Sequence, residues 1–178
     1  WFAPGTLVAR EPAVSNARFF RSGRQQYVPG DAVLVLTSGS RALVRNAPLL
    51  FVGKGEGIAL TRNELAGRIA LLLDAGITDS ERQNQLLAAG ASAVLTVLDG
   101  ERTIENVQAR RQRSGYALAD DKPGGDLEAF ITREGLQRLL AGSGQTLDSL
   151  EKLAARSDFA PRALPFSATL AATTRETR

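Results

Sequence analysis

The sequence predicts a mixed α/β domain built around a strand, a capped helix and a second strand, and three observations carry that expectation. The first is a pair of short apolar runs, RIALLL at 68–73 and AVLTVL at 93–98, each bounded by glycine. Runs of that length suit strands buried on both faces better than surface helices. The second is what lies between them: Thr78 and Glu81 have the spacing of a capping box, and Gly90 supplies the left-handed residue that ends a helix. Two buried strands joined by such a crossover are expected to lie parallel, with the crossover right-handed. The third is the remainder of the chain, with further strand-like runs in the first half and a helical pair late, a pattern of mixed layers and not of a helical bundle. Only one βαβ unit is evident, which argues against an ordinary nucleotide-binding sheet.

Composition narrows the chemistry. At 178 residues and 43% hydrophobic content the chain is sized for one domain with a core of ordinary size. The net charge is +3, from 22 basic and 19 acidic residues, and the one basic run is Arg110, Arg111 and Arg113. A nucleic-acid surface would show clustered Lys and Arg with aromatic neighbours, so no nucleic-acid partner is expected. There is no cysteine, hence no disulfide framework. There is also no histidine, which removes the commonest metal ligand, the usual general base near neutral pH and any Ser-His-Asp triad. Zinc held by carboxylates alone is not how catalytic zinc is generally bound. Neither a catalytic residue nor a metal site is therefore expected in this chain. No apolar run approaches the roughly 20 residues of a membrane span, and the first residues do not read as a signal segment, with its basic start and apolar middle. A start without Met reads as a piece of a longer protein.

In chain order, residues 1–30 are expected to be extended segments joined by turns at Pro4, Gly5, Pro12 and Gly23, with 7–9 and 17–20 as the strands. Pro29, Gly30 and Asp31 make a turn that releases a strand at 32–36, and a second turn follows at 38–40. A strand at 49–52 runs into Gly53, Lys54, Gly55, Glu56 and Gly57. Bare backbone N–H groups in such a loop can cradle an anion, but no Walker pattern is present and Ile58 stands where the dinucleotide fingerprint needs glycine. A turn at a strand end is the expectation. Residues 103–113 read as a polar helix with Ile104 and Val107 on one face, or as a charged surface segment, and 120–125 as a loop. A strand at 127–131 leads into a helix capped by Thr132, with Leu136, Leu139 and Leu140 on one face and Gly142 as its stop. A second helix starts at Thr146, with Asp148 in its first turn and Arg156 at its end. Pro161 and Pro165 break the chain before a closing strand of Phe166, Ala168 and Leu170, and 172–178 reads as a solvated linker.

The runs LLFVGKG, ELAGRIALLLDAG, SERQNQLLAAGASAVLTVLDG, LEAFITREGLQRLLAGSG and LPFSATLAATTRETR, in that order, resemble the protease-associated domain of secreted zinc aminopeptidases. These belong to metallopeptidase family twenty-eight, which also contains the transferrin receptor and glutamate carboxypeptidase. The most distinctive stretch is 67–98, where Ala89, Gly90 and Ala91 match the usual Ala-Gly-Ala turn. The resemblance implies a non-catalytic module of swivelling β/β/α architecture, a small β-sandwich or open barrel with flanking helices, spanning 1–178. It implies an active-site lid, or a substrate-access and docking module, in a secreted or periplasmic enzyme. The partners implied are the protein's own peptidase domain and a peptide or protein substrate, with the zinc held by that peptidase domain.

The candidate binding residues are Asp79 and Arg82, in the loop at 74–82 that joins the carboxyl end of a central strand to a helix N-terminus, where ligands gather in open α/β sheets. The plainer alternative is that Asp79 complements the helix dipole and both residues are only solvated. Lys54, standing between glycines where the family often carries an aromatic, is the third candidate. Two other functions stay open. One is an interaction or oligomerisation domain without influence on catalysis, which an exposed apolar patch would mark. The other is an independent carboxylate hydrolase, for which the adjacent Asp120 and Asp121 are poor material.

Overall fold

The computed structural model describes residues 7–37, 41–54, 62–73, 79–98, 103–105, 107, 116–118 and 127–177. Its strands are β1 (Leu7–Arg21), β2 (Arg24–Gln26), β3 (Val33–Thr37), β4 (Arg41–Phe51), β5 (Ile69–Leu73), β6 (Ala93–Val97), β7 (Tyr116–Leu118), β8 (Leu127–Ile131) and β9 (Arg162–Thr177). The helices are α1 (Arg62–Leu65), α2 (Asp79–Ala88), α3 (Arg133–Leu140) and α4 (Leu147–Ala154). The nine strands among the described residues join one mixed sheet, in the order β2-β1-β9-β4-β5-β6-β8-β3, with β7 pairing the start of β1. The expected mixed α/β class is what the chain adopts.

The expected strand, helix and strand unit is present: β5 and β6 pair in parallel, Ile69 opposite Ala93 through Leu73 opposite Val97. Both strands are buried along their whole length, as continuous apolar runs between covered faces should be. Alternation divides their side chains between two cores. Ile69, Leu71 and Leu95 enter the inner core, while Ala70, Leu72 and Val94 meet Leu86 of α2 outside. Thr96 faces outward too, and its buried hydroxyl accepts a 2.6 Å hydrogen bond from the Gln83 side chain of α2. The end of α2 is a Schellman turn, in which Gly90, at φ +118°, donates to the Leu87 carbonyl and Ala91 to that of Leu86.

The parallel set is wider than one unit. β4 pairs β5 and β6 pairs β8, also in parallel, so four strands share one direction. Among the described residues, the connection from β4 to β5 carries the one-turn helix α1, and that from β6 to β8 carries a helical turn at Ile104, Glu105 and Val107 and the strand β7. On one flank β9, β1 and β2 continue antiparallel; on the other β3 pairs β8 antiparallel. β3 also comes to lie against β1 and β9, so the sheet curls into an open barrel. Leu136, Leu139 and Leu140 of α3 and Leu147 and Leu150 of α4 belong to the inner core and close one end of it. The caps are those expected: the Thr132 hydroxyl accepts the Gly135 N–H at 3.0 Å, and Thr146 forms a reciprocal box with Ser149.

Two expectations at the termini are corrected. The segments at 7–9 and 17–20 belong to one 15-residue strand, because a bulge between Pro12 and Val14 absorbs the proline that reads as a break. Residues 172–177, expected to be linker, continue β9, with Ala9 opposite Thr177 and Arg10 opposite Glu176. Ladder pairing on a neighbouring strand holds this polar tail extended. Pro165 likewise lies inside β9, where the ladder to β4 is irregular between Pro48 and Leu50.

Candidate functional site

Because β4, β5, β6 and β8 run in one direction, their carboxyl ends lie along one edge of the sheet, the edge at which open α/β sheets place ligands. Gly53 and Lys54 follow β4 there. Gly53 is buried at φ +62°, and a Cβ on it would come within 2.9 Å of the Phe159 ring, so only glycine fits beneath that ring. The ring in turn meets Phe51 edge to face, with centroids 5.6 Å apart. The start of the glycine-rich loop is thus a packed strand-end turn. Lys54 is exposed beside it, and the rest of the loop lies outside the described residues.

Asp79 is the first residue of α2, as its expected place requires. Its side chain and that of Arg82 fall outside the described part of the structure, as do Thr78 and the Glu81 side chain of the expected capping box. The adjacent Asp120 and Asp121 lie outside it too.

A groove of about 860 Å³ opens at the carboxyl ends of β6 and β8. Three segments build it: residues 27–32 before β3, the helical turn at 103–105, and the first turns of α3. The antiparallel pairing of β3 with β8 brings the first and third together, and the Thr132 N–H donates to the Ala32 carbonyl at 2.9 Å to fix them. Tyr27 stands at the groove 74% exposed. Asp31, Glu105 and Glu134 line it with Arg133 and Arg138, and the Arg133 guanidinium is engaged by Glu151 of α4. The groove therefore offers an aromatic ring and several free charges to a ligand, in a setting open to water. None of these residues is among those singled out from sequence; the signal was Tyr27, an aromatic beside the turn Pro29-Gly30-Asp31.

A smaller cleft of about 480 Å³ lies beside Phe159 at the start of β9. Here Arg156 donates two hydrogen bonds to Asp158, at 2.9 and 3.0 Å, and those bonds, then the positive charge, hold the Asp158 carboxyl below its ordinary 3.8. Both side chains are solvated, which makes this a surface pair. Among the described residues no group of three His, Cys, Asp or Glu is placed to hold a metal ion, and the chain has no histidine or cysteine to add. What the described residues place on this edge is charge, hydrogen-bonding groups and one aromatic face.

No protein-family model matches the chain, and no curated protein matches it. Solved structures do. A crystal structure of BSAP, a zinc aminopeptidase from Bacillus subtilis, is similar over 96% of this chain and 35% of its own, at 19% identity and a TM-score of 0.47. A second structure of BSAP gives 15% identity and a TM-score of 0.38 over 96% of this chain and 33% of its own. An aminopeptidase from Aneurinibacillus sp. strain AM-1 gives 15% and 0.42 over 96% and 35%. The chain spans about a third of the length of each. No helix among the described residues is long and apolar enough to cross a membrane.

Proposed function

We propose that this chain is a non-catalytic protease-associated module of a longer, exported zinc aminopeptidase, and that the carboxyl edge of its parallel strands faces the substrate as a lid or docking surface. The observation that carries the reading is the convergence on that edge of the β4 turn with Lys54, the start of α2 at Asp79 and an open polar groove, in a chain without histidine. A face so equipped can bind and orient a peptide, and it lacks the usual means of activating water. The ordered resemblance, over most of the chain from about Asp31 onward, supports the enzyme class. In this reading the metal and the catalytic carboxylate belong to the peptidase domain.

The test uses the complete enzyme. Replacing Lys54, Asp79 and Arg82 together by Ala is expected to raise KM for peptides while kcat stays within about twofold, the signature of lost uniform binding. Unchanged KM across several peptides would sink the lid contact. Zinc-dependent peptidase activity in the 178-residue chain alone would sink the accessory role itself.

A further inference from the structure

The acidic residues of this chain are unevenly placed. Residues 12–30, 32–55 and 159–175 hold eight of the 22 basic residues and none of the 19 acidic ones. The fold gathers most of these stretches, residues 12–26, 41–51 and 162–175, into one half of the sheet, where they supply β2, most of β1, β4 and most of β9, while 33–37 form β3 at the opposite end of the strand order. The inner face of that half is core: Phe19, Leu49, Phe166, Ala168 and Leu170 are buried in it. By alternation the outer face carries the residues between them, and none of those described on β1 and β9 is buried.

We propose that this outer face of β1, β9 and β4 docks an acidic protein segment that carries apolar side chains. Its centre is Thr169 of β9, opposite Arg18 of β1; on β4 the Asn46 N–H donates to the Thr169 hydroxyl at 3.1 Å, placing Arg45 alongside. Arg18 and Arg45 are exposed and sit two strand spacings apart, about 10 Å. Two rows along, Leu43 lies opposite Ala171 and is 51% exposed. Pro48 and Pro165 are exposed near the other end. Two guanidinium groups separated by small and apolar side chains match carboxylates spaced along a polypeptide with a hydrophobic residue among them. They do not match a phosphate backbone, which calls for a continuous basic track with stacking aromatics. No carboxylate stands on the ladder beside Arg18 and Arg45; the acids of β1 and β9, Glu11 and Glu176, are at the far end of that pair of strands. The face is separate from the carboxyl edge, and its role does not depend on the lid reading.

The test measures binding of two fluorescein-labelled 15-residue peptides to the 178-residue chain at about 50 mM salt, where surface charge is weakly screened. One is poly-L-glutamate; the other repeats Glu-Glu-Leu five times. The Leu-containing peptide is expected to bind more tightly than poly-Glu. Arg18→Glu with Arg45→Glu should weaken both at least tenfold, and Arg18→Gln with Arg45→Gln, the milder pair should the first fail to fold, at least threefold. Leu43→Ala should erase the advantage of the Leu-containing peptide and leave poly-Glu binding unchanged. Arg156→Glu, on another surface, should change neither. Equal losses in the Arg156 variant, indifference to Leu43, or preference for a heparin fragment of equal charge that Leu43→Ala does not alter would each overturn the proposal.

Discussion

Gly135→Ala sets two well-characterised effects against each other. Gly135 lies in the first turn of α3 with ordinary helical geometry, so helix propensity alone favours Ala by about 1 kcal/mol. The surroundings oppose it. A Cβ at Gly135 would stand 2.8 Å from the Ala32 Cβ and 3.2 Å from both Ile131 Cγ1 and Thr132 Oγ1. Ala32 has no rotamer with which to retreat, and its backbone is tied by hydrogen bonds to Pro29 at 3.0 Å and Thr132 at 2.9 Å. Inserting a methyl into such a contact costs about 2–3 kcal/mol, the upper part of the usual overpacking range. The net expectation is a destabilisation of about 1–2 kcal/mol, or a fall in Tm of roughly 2–8 °C for a domain of this size. Circular dichroism melts at matched concentration would measure it, with Ala32→Gly/Gly135→Ala as the companion. Removing the Ala32 Cβ relieves the contact, so the double variant should melt above what the two single changes add to. A Gly135→Ala protein melting above wild type would refute the packing account of this residue, and with it the rigidity attributed to the groove wall.

Three further outcomes are expected. Gly53→Ala combines a left-handed backbone with the 2.9 Å approach to Phe159 and should destabilise by about 2–4 kcal/mol, whereas Gly67→Ala, at φ +73° with nothing within 4 Å, should show only the backbone part, about 1–2 kcal/mol; urea melts separate them. Thr96→Val strands the buried Gln83 amide and should cost about 1–3 kcal/mol, while Gln83→Leu/Thr96→Val should lie nearer wild type, and a double-mutant cycle with no coupling would discount the bond. The Asp158 carboxyl, lowered by the Arg156 hydrogen bond and charge, contributes stability that is present above the unfolded value near 3.8 and lost as pH falls through the lower folded one. A carboxyl titration followed by NMR should therefore find Asp158 below 3.8, and Arg156→Gln should raise it.

Elements whose signals are local were legible in the sequence. β8 spans the expected 127–131, Thr132 and Thr146 cap as their hydroxyls suggest, and the Gly90 turn ends α2. Elements set by pairing partners far along the chain were not. Nothing within 172–177 indicates a strand; those residues are extended because β1, from the start of the chain, lies beside them. β4 begins eight residues before the expected strand and carries Asn46 at φ +48° in a ladder irregularity that breaks its alternation. The candidate site divides the same way. Lys54 and Asp79 could be set at the carboxyl ends of strands from order alone. The groove at Tyr27, Glu105 and Glu134 needs the antiparallel pairing of β3 with β8, which no single stretch announces.

β9 lies between β1 and β4 and pairs Ala17 with Leu170 and Val44 with the same residue. During synthesis this leaves the first and fourth strands waiting. At about 5–20 residues per second, β1 is exposed for on the order of ten seconds before the strand that flanks it is translated. The parallel centre can form early, since β5, α2 and β6 are contiguous, whereas the antiparallel half must remain open until the last strand arrives. A ribosome stalled before residue 162 would hold a chain with two long unsatisfied strand edges, the kind that recruits chaperones or pairs with a neighbouring chain.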